Sequence, residues 1–407
     1  MQGARLVGRG LDDDRTGRAR RDGTERIEEL NERREEWAAA AALYEREAAI
    51  LAEAEPERRK QVWLCAAELA RQRLDDPARA LRAFEEASRI SALAPGPLRA
   101  QAELYRRTGA TERFAKTFTD WCDDPRSGAT AAEHLELTGV LVGLGRHADA
   151  LARARRAVSV DARNPDAWAT VARLEEQRSH PTEAAEAWER AGLLRVGPEA
   201  AAHLCDAALL VEQSDPEACV RRLRRAVEID PASARARAHL ARVAAAQGCV
   251  AEAETNAARA LDLSTASSEP LPRALQLETA LVGGRMARAQ DRLEAAVLLF
   301  SAATALAPEN LEALEAIGEL LFERGDLAGA RETLEARLAV SAADAHRAAR
   351  LAMLGSVLEL SGETADALAR FREAVAEDAG CSAGHAGVAR ICEKSGQIGR
   401  ASCRERV

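Results

Sequence analysis

Seven histidines, eight cysteines and 66 carboxylates are the groups from which this 407-residue chain could build chemistry. Zinc hydrolysis on a helix needs His-Glu-x-x-His, which sets two imidazoles on one face beside a general base, and no histidine stands in that pattern. Gly139, Gly143 and Gly145 suggest a phosphate loop, but no strand pattern precedes them and no Lys-Ser/Thr follows, so they read as a helix end. Glu199, His203 and Cys205 share one helical stretch and could offer metal ligands. The phase places Cys205 in a core and His203 at its edge, so no metal is expected. His134, His147, His180, His239, His346 and His385 stand apart from one another. Cys65, Cys122, Cys205, Cys219, Cys249, Cys381, Cys392 and Cys403 form no Cys-x-x-Cys pair and read mostly as buried free thiols of a reducing compartment. Carboxylate–arginine pairs abound, as solvated helix faces require. The expectation is no catalytic residue, no metal and no cofactor: not an enzyme.

The elements that would carry these groups are helices. Ala, Leu, Arg and Glu dominate, and strand-favouring residues are scarce. Aromatic residues make up 3% of the chain, so cores of Ala and Leu must rely on close helix approach. The net charge of −9 comes without a basic stripe of the kind nucleic acid requires, and no nucleic-acid partner is expected. Arginine carries nearly all the positive charge beside Lys60, Lys116 and Lys394, as a GC-rich coding sequence would dictate. No run of about 18 apolar residues is present, so no membrane span is expected. The first 25 residues lack an apolar secretion core, which makes the cytoplasm the default compartment.

A repeated unit organises these helices. A small residue is followed four positions later by a large one and seven later by Ala: Ala80–Phe84–Ala87, Ala184–Trp188–Ala191, Cys219–Leu223–Ala226, Ala296–Phe300–Ala303 and Ala367–Phe371–Ala374. The step is 34 residues from Ala150 to Ala184, from Cys219 to Ala253 and from Ala296 to Ala330. Twelve residues before the signature position a small residue sits on a preceding helix, as Ala241, Gly318 and Gly355 do. Five before it Gly145, Gly248, Gly325 and Gly362 end that helix where positive φ is useful. Pro231 and Pro308 stop the second helix. Phe114 departs from the pattern, with Tyr105, Gly109 and Phe118 holding the phase, and Ala40 and Tyr44 suggest an earlier unit. The step from Ala253 to Ala296 is 43, so the helices after Ser264 should be longer or preceded by a loop.

These positions resemble the tetratricopeptide repeat family, most clearly in the unit beginning at Pro308 with Leu314, Gly318, Gly325 and Ala330, and nearly as well in the unit from Pro231. The resemblance covers roughly residues 25 to 396. It implies an all-α, right-handed α-solenoid of antiparallel helix pairs, with a superhelical groove lined by first helices. In this register the lining positions include Arg173, Arg235, His239 and Arg242, followed by Glu312, Glu315, Glu319 and Glu323. A basic stretch followed by an acidic one would orient an extended segment. Some family members clamp a carboxylate with Lys and Asn; Ala169, Arg173, Ala238 and Arg242 occupy comparable places here, and the Asn partners are missing. The implied function is a non-catalytic scaffold or adaptor binding a protein or peptide. Two alternatives are the repeat region of a larger enzyme of kinase or glycosyltransferase type, and a self-associating structural element.

The expected organisation is a disordered or misassigned segment over 1–23, repeats over 24–266, and further repeats over 267–396 that end in an incomplete unit. The break falls in the stretch from Ser267 to Ala274. Residues 398–407 resemble, codon for codon, a translated sequencing adapter, so 397–407 is expected to be an artefactual tail.

Overall fold

The computed structural model describes residues 33–51, 55–267, 270–340 and 346–394, and every regular element among them is helical. The expected segments 1–23 and 397–407 lie outside the described residues. The chain forms two compact units, up to Leu174 and from Glu175 onward. In the first, α1 (33–50) precedes α2 (Pro56–Leu69), α3 (Pro77–Ile90), α4 (Pro95–Arg107), α5 (Thr111–Asp123), α6 (Ala131–Gly143) and α7 (His147–Val160). Helix α8 (Pro165–Gln177) carries the boundary. The second unit holds α9 (Pro181–Leu193), α10 (Gly197–Leu210), α11 (Pro216–Ile229), α12 (Ala234–Ala246), α13 (Val250–Ala266) and α14 (Arg273–Ala289). It continues through α15 (Leu293–Leu306), α16 (Leu311–Arg324), α17 (Leu327–Val340), α18 (Arg347–Leu360), α19 (Thr364–Glu377) and α20 (Ser382–Lys394).

Each even-numbered helix packs on its odd-numbered successor from α2/α3 through α6/α7 and again from α10/α11 through α18/α19, and short connections make the pairs antiparallel. The signature positions form the cores. Ala80, Phe84, Ala87, Cys219, Leu223, Ala226, Ala296, Ala303, Ala367, Phe371 and Ala374 are fully buried, and Trp188, the most exposed of the large signature residues, reaches only 7%. Small residues on the first helices allow the close approach. A methyl group on Gly284 would meet the Phe300 ring at 2.8 Å, and one on Gly318 would meet Leu334 at 3.0 Å. At Phe114 the place of the small residue is taken by an aromatic ladder, Phe114 on Phe118 at 5.1 Å and Phe118 on Trp121 at 5.3 Å. Between α2 and α3 one extra residue separates the buried Ala67 from Ala80, and the π-helical segment Ala70–Leu74 at the end of α2 absorbs it.

The turn inside each pair needs one residue with positive φ. Gly145, Gly248, Gly325 and Gly362 supply it as expected, with φ from 73° to 86°. Asp75, Ser179 and Asp291 occupy the equivalent place in three other pairs at φ of 48°, 60° and 59°. Asp tolerates this region through local hydrogen bonding, whereas Ser bears more of the Cβ clash. Ser179→Gly should therefore raise stability by about 0.5–1 kcal/mol after the added chain entropy is counted. A urea midpoint unchanged or lowered by that substitution would refute the strain at Ser179.

The 43-residue step is accommodated on both sides of the turn: α13 and α14 each have 17 residues, where other helices of the second unit have 13 or 14. Ser264, 2% exposed, ties down the connection by accepting from the Leu271 backbone N–H at 2.9 Å and the Gln276 amide at 3.1 Å. Other helix starts are capped by side chains that take up orphan N–H groups, as Asp215, Ser233 and Asn310 do; Thr130 and Glu133 form a reciprocal capping box. Lys60 is buried at 8% and caps the other end of a helix: its Nζ donates to Ser91 Oγ and to the Ala92 carbonyl beyond α3.

Candidate functional site

Within the second unit the first helices α10, α12, α14, α16, α18 and α20 are linked in sequence by ion pairs between side chains on one shared face. Arg235 of α12 donates to Asp206 of α10 at 2.7 Å. Arg242, about two turns further along α12, meets Glu212 just beyond α10 at 2.6 Å and Glu278 of α14 at 3.5 Å. From α14, Arg285 reaches Glu312 at 3.2 Å, while Arg288 reaches Glu319 at 2.6 Å and Glu323 at 3.8 Å. Glu315 of α16 pairs onward to the next first helix, accepting from Arg350 of α18 at 3.0 Å. Glu359 at the end of α18 accepts from Arg390 at 3.1 Å and Lys394 at 2.9 Å, both on α20.

Seven of the eight residues expected to line a groove thus share the face of the first helices of the second unit, and six of them are engaged with a neighbouring helix. The pairing changes their electrostatic meaning. Arg235 and Arg242 each sit against carboxylates, and hydrogen bonding from Arg242 holds the Glu212 carboxyl below its usual range. His239 lies between them and is kept neutral: burial, then the Arg242 and Arg235 charges, push its pKa down to about 4. Its Nδ1 is shut off from solvent without a hydrogen-bond partner. The basic stretch is consequently compensated, and the glutamates of α16 are in part neutralised by Arg285, Arg288 and Arg350. Arg173 belongs to the first unit, where it is exposed and its Nε donates to the Ala169 carbonyl at 3.3 Å, with no ion pair among the described residues. Ala169 and Ala238 are 2% and 1% exposed, so both pack between helices and leave the clamp position without a polar group.

The compensating partners escaped a reading of single helices. Asp206, Glu212, Glu278, Arg285, Arg288 and Arg350 each look like an isolated surface charge in sequence. Their signal is an opposite charge a little under or over one repeat away: 29 residues for Asp206–Arg235, 30 for Glu212–Arg242 and 35 for Glu315–Arg350. One motif was also missed. Residues 380–384 spell Gly-Cys-Ser-Ala-Gly, the pattern of a hydrolase nucleophile elbow. That elbow sits between a strand and a helix; here Ser382 opens α20 after helix α19, and the nearby His385 ring bonds the Ala379 carbonyl. The spelling carries no catalytic geometry.

The remaining sequence candidates are structural. Gly139 and Gly143 lie within α6, and Gly145 forms the turn after it. His203 packs its ring on Trp188 at 4.8 Å, and Cys205 is 1% exposed, its thiol pushed by burial up to about 12. Cys122, Cys219, Cys381 and Cys392 are buried as expected, whereas Cys65 is exposed, and Cys403 lies outside the described residues. No group of three or more His, Cys, Asp or Glu side chains among the described residues is placed to hold a metal ion. No helix among them is long and apolar enough to cross a membrane.

Comparison with known proteins adds a family. The profile described as tetratricopeptide repeat matches residues 140–204 and 281–346. No curated protein matches the chain. Among solved structures, YrrB, described as a TPR protein with an unusual peptide-binding site, is 18% identical over 50% of this chain and 98% of its own, with a TM-score of 0.38. The C-terminal part of a TPR repeat-containing protein from Cytophaga hutchinsonii is 13% identical over 62% of this chain and 99% of its own, with a TM-score of 0.43. The Naa15/Naa10 complex bound to HypK-THB is 17% identical over 71% of this chain and 43% of its own, also at 0.43. Repeats of this type generally mediate protein–protein interaction. The two matched segments cover α7 through α9 and α15 through α17, where the Ala–large–Ala signature and the positive-φ turns recur in step, so tetratricopeptide repeats are matched over those two segments of a chain whose described elements are all helical.

Proposed function

We propose that this chain is a non-catalytic scaffold whose first helices hold a segment of a partner protein. The supporting observation is the face described above, on which charged side chains from successive repeats are fixed in helix-to-helix pairs. Side chains already ordered in the free protein lose little further entropy when a partner meets them, so a polar segment can be read at low cost. Their mixed sign favours a segment carrying both charges, bound weakly and with strong salt dependence. Arg173, on the first unit, is exposed and offers a positive charge there.

Peptides selected from a random library against the full chain provide the probe. Reversing charge at Arg173 and Arg242 together, each to glutamate, should weaken their binding at least tenfold, about 1.4 kcal/mol. Because Arg242 also ties α12 to its neighbours, a thermal melt of the variant is run alongside. Unchanged affinity in a folded variant would sink the assignment of this face.

A further inference from the structure

The first unit holds a second polar feature, unrelated to the first-helix face. Two adjoining clefts lie along α3 where it meets α2. One, of about 590 Å³, is lined by Glu45 of α1, Trp63 of α2, and Arg82, Glu85, Glu86 and Arg89 of α3. The other, of about 290 Å³, is lined by Arg59 of α2 with Glu86 and Arg89 as a shared wall. Arg59 and Trp63 stand one turn apart on α2 and so present to the same side.

The donors and acceptors here do not balance. Every carboxylate in the walls is already committed: Glu45 accepts twice from Arg79, at 2.7 and 3.0 Å. Glu85 accepts from the Tyr105 hydroxyl at 2.7 Å and from Arg113 at 3.1 Å, and Glu86 accepts from Arg89. Arg82 is exposed and makes no ion pair among the described residues. The Arg59 Nε and the Trp63 indole N–H are both sealed from solvent and lack an acceptor. A sealed donor without an acceptor is costly, and a buried indole N–H nearly always has one. The clefts are therefore short of acceptors. Arg82, which has no ion-pair partner among the described residues, can swing aside to admit them.

We infer that the α3 clefts bind an acidic, extended peptide of a partner protein, its carboxylates supplying acceptors to Arg59, Arg82 and Trp63. A carboxylate matches the guanidinium fork bidentately, and two adjoining clefts suit neighbouring acidic residues of one strand. Nucleic acid fits less well. Three glutamates stand in the walls, the chain's net charge is −9, and Trp63 is not presented as an open stacking platform.

The test uses the full chain and fluorescein-labelled hexaglutamate at low salt, followed by anisotropy. Hexaglutamate should bind while hexaglutamine does not, and the Arg59→Gln/Arg82→Gln double variant should weaken binding at least tenfold without lowering the melting temperature. Trp63→Phe should weaken it about threefold. The Arg235→Gln/Arg242→Gln variant should leave it unchanged. Loss of binding in that last variant would place the peptide on the first-helix face, overturning the cleft assignment and leaving the scaffold reading intact. Equal binding of hexaglutamine, tighter binding of a thymidine hexanucleotide, displacement by free citrate at matched carboxylate concentration, or an unaffected Arg59/Arg82 variant would each overturn it too.

Discussion

Phe371→Ala should lower the stability of the second unit by about 3–5 kcal/mol, the largest single effect expected in this chain. The ring is fully buried and held between two helices: a methyl group on Gly355 of α18 would sit 2.9 Å from it, and one on Gly387 of α20 would overlap it outright. Neither neighbour can fill the vacated space without moving a helix, so the cavity persists and its cost adds to the lost burial. The converse substitution, Gly387→Ala, forces the ring to shift and should cost about 1–3 kcal/mol. Because both changes act on one volume they should not be additive. In a Phe371→Leu background the penalty of Gly387→Ala should shrink by half or more, as read from urea midpoints of the four proteins in the cycle. Additive penalties would mean that the two sites do not share the packing described here.

The second large effect is an acid weakness of the same unit. His239 has a folded pKa near 4 against about 6.5 in an unfolded chain. Between those values the unfolded state binds a proton that the folded state refuses, so stability falls as pH drops. The contribution is fully present above pH 6.5 and is lost progressively toward pH 4. A shift of that size corresponds to about 3 kcal/mol, and the partial exposure of the ring reduces this to about 2 kcal/mol. The carboxylates act lower: Glu212 and Glu252, both held below the usual range by hydrogen bonds from arginine, lose their contribution below about pH 4.5. The two sources separate by variant. His239→Gln cannot charge, and it should flatten the decline of the urea midpoint between pH 6.5 and 4.5 while leaving the steeper loss below it. An unaltered slope over the upper window would remove His239 as its cause.

How much of this was legible in the sequence follows from the physics of each part. Phe371, Phe84, Phe300 and Leu223 were identifiable because a core fixes side-chain volume at a fixed helical phase, and volume is written directly in residue type. The lengthened α14 was legible as part of the nine residues beyond the period that follow Ser264, whereas the extension of α13, which carries Ser264 itself, was not. The turns at Asp75, Ser179 and Asp291 were not, because the requirement is a backbone angle and glycine is only its commonest solution. The π segment at Ala70–Leu74 was hidden because the shift of one residue leaves both helices intact. On the candidate face the proposed lining positions came from the resemblance, which assigns the groove to the first helices, together with helical phase. The sign of the local field could not, since it depends on Asp206, Glu212 and Arg288 arriving from helices a repeat away. The unmet donors of Arg59 and Trp63 lie furthest from the sequence: they are defined by what fails to pack against them.

The most direct test of the scaffold reading is a hydrogen-exchange footprint of the full chain with and without a library-selected peptide. Slowed exchange confined to α12, α14 and α16, and reversed by glutamine substitution of Glu312, Glu319 and Glu323, is the predicted outcome. Protection confined to the second helices α11, α13 and α15, or protection indifferent to those three glutamates, would contradict it.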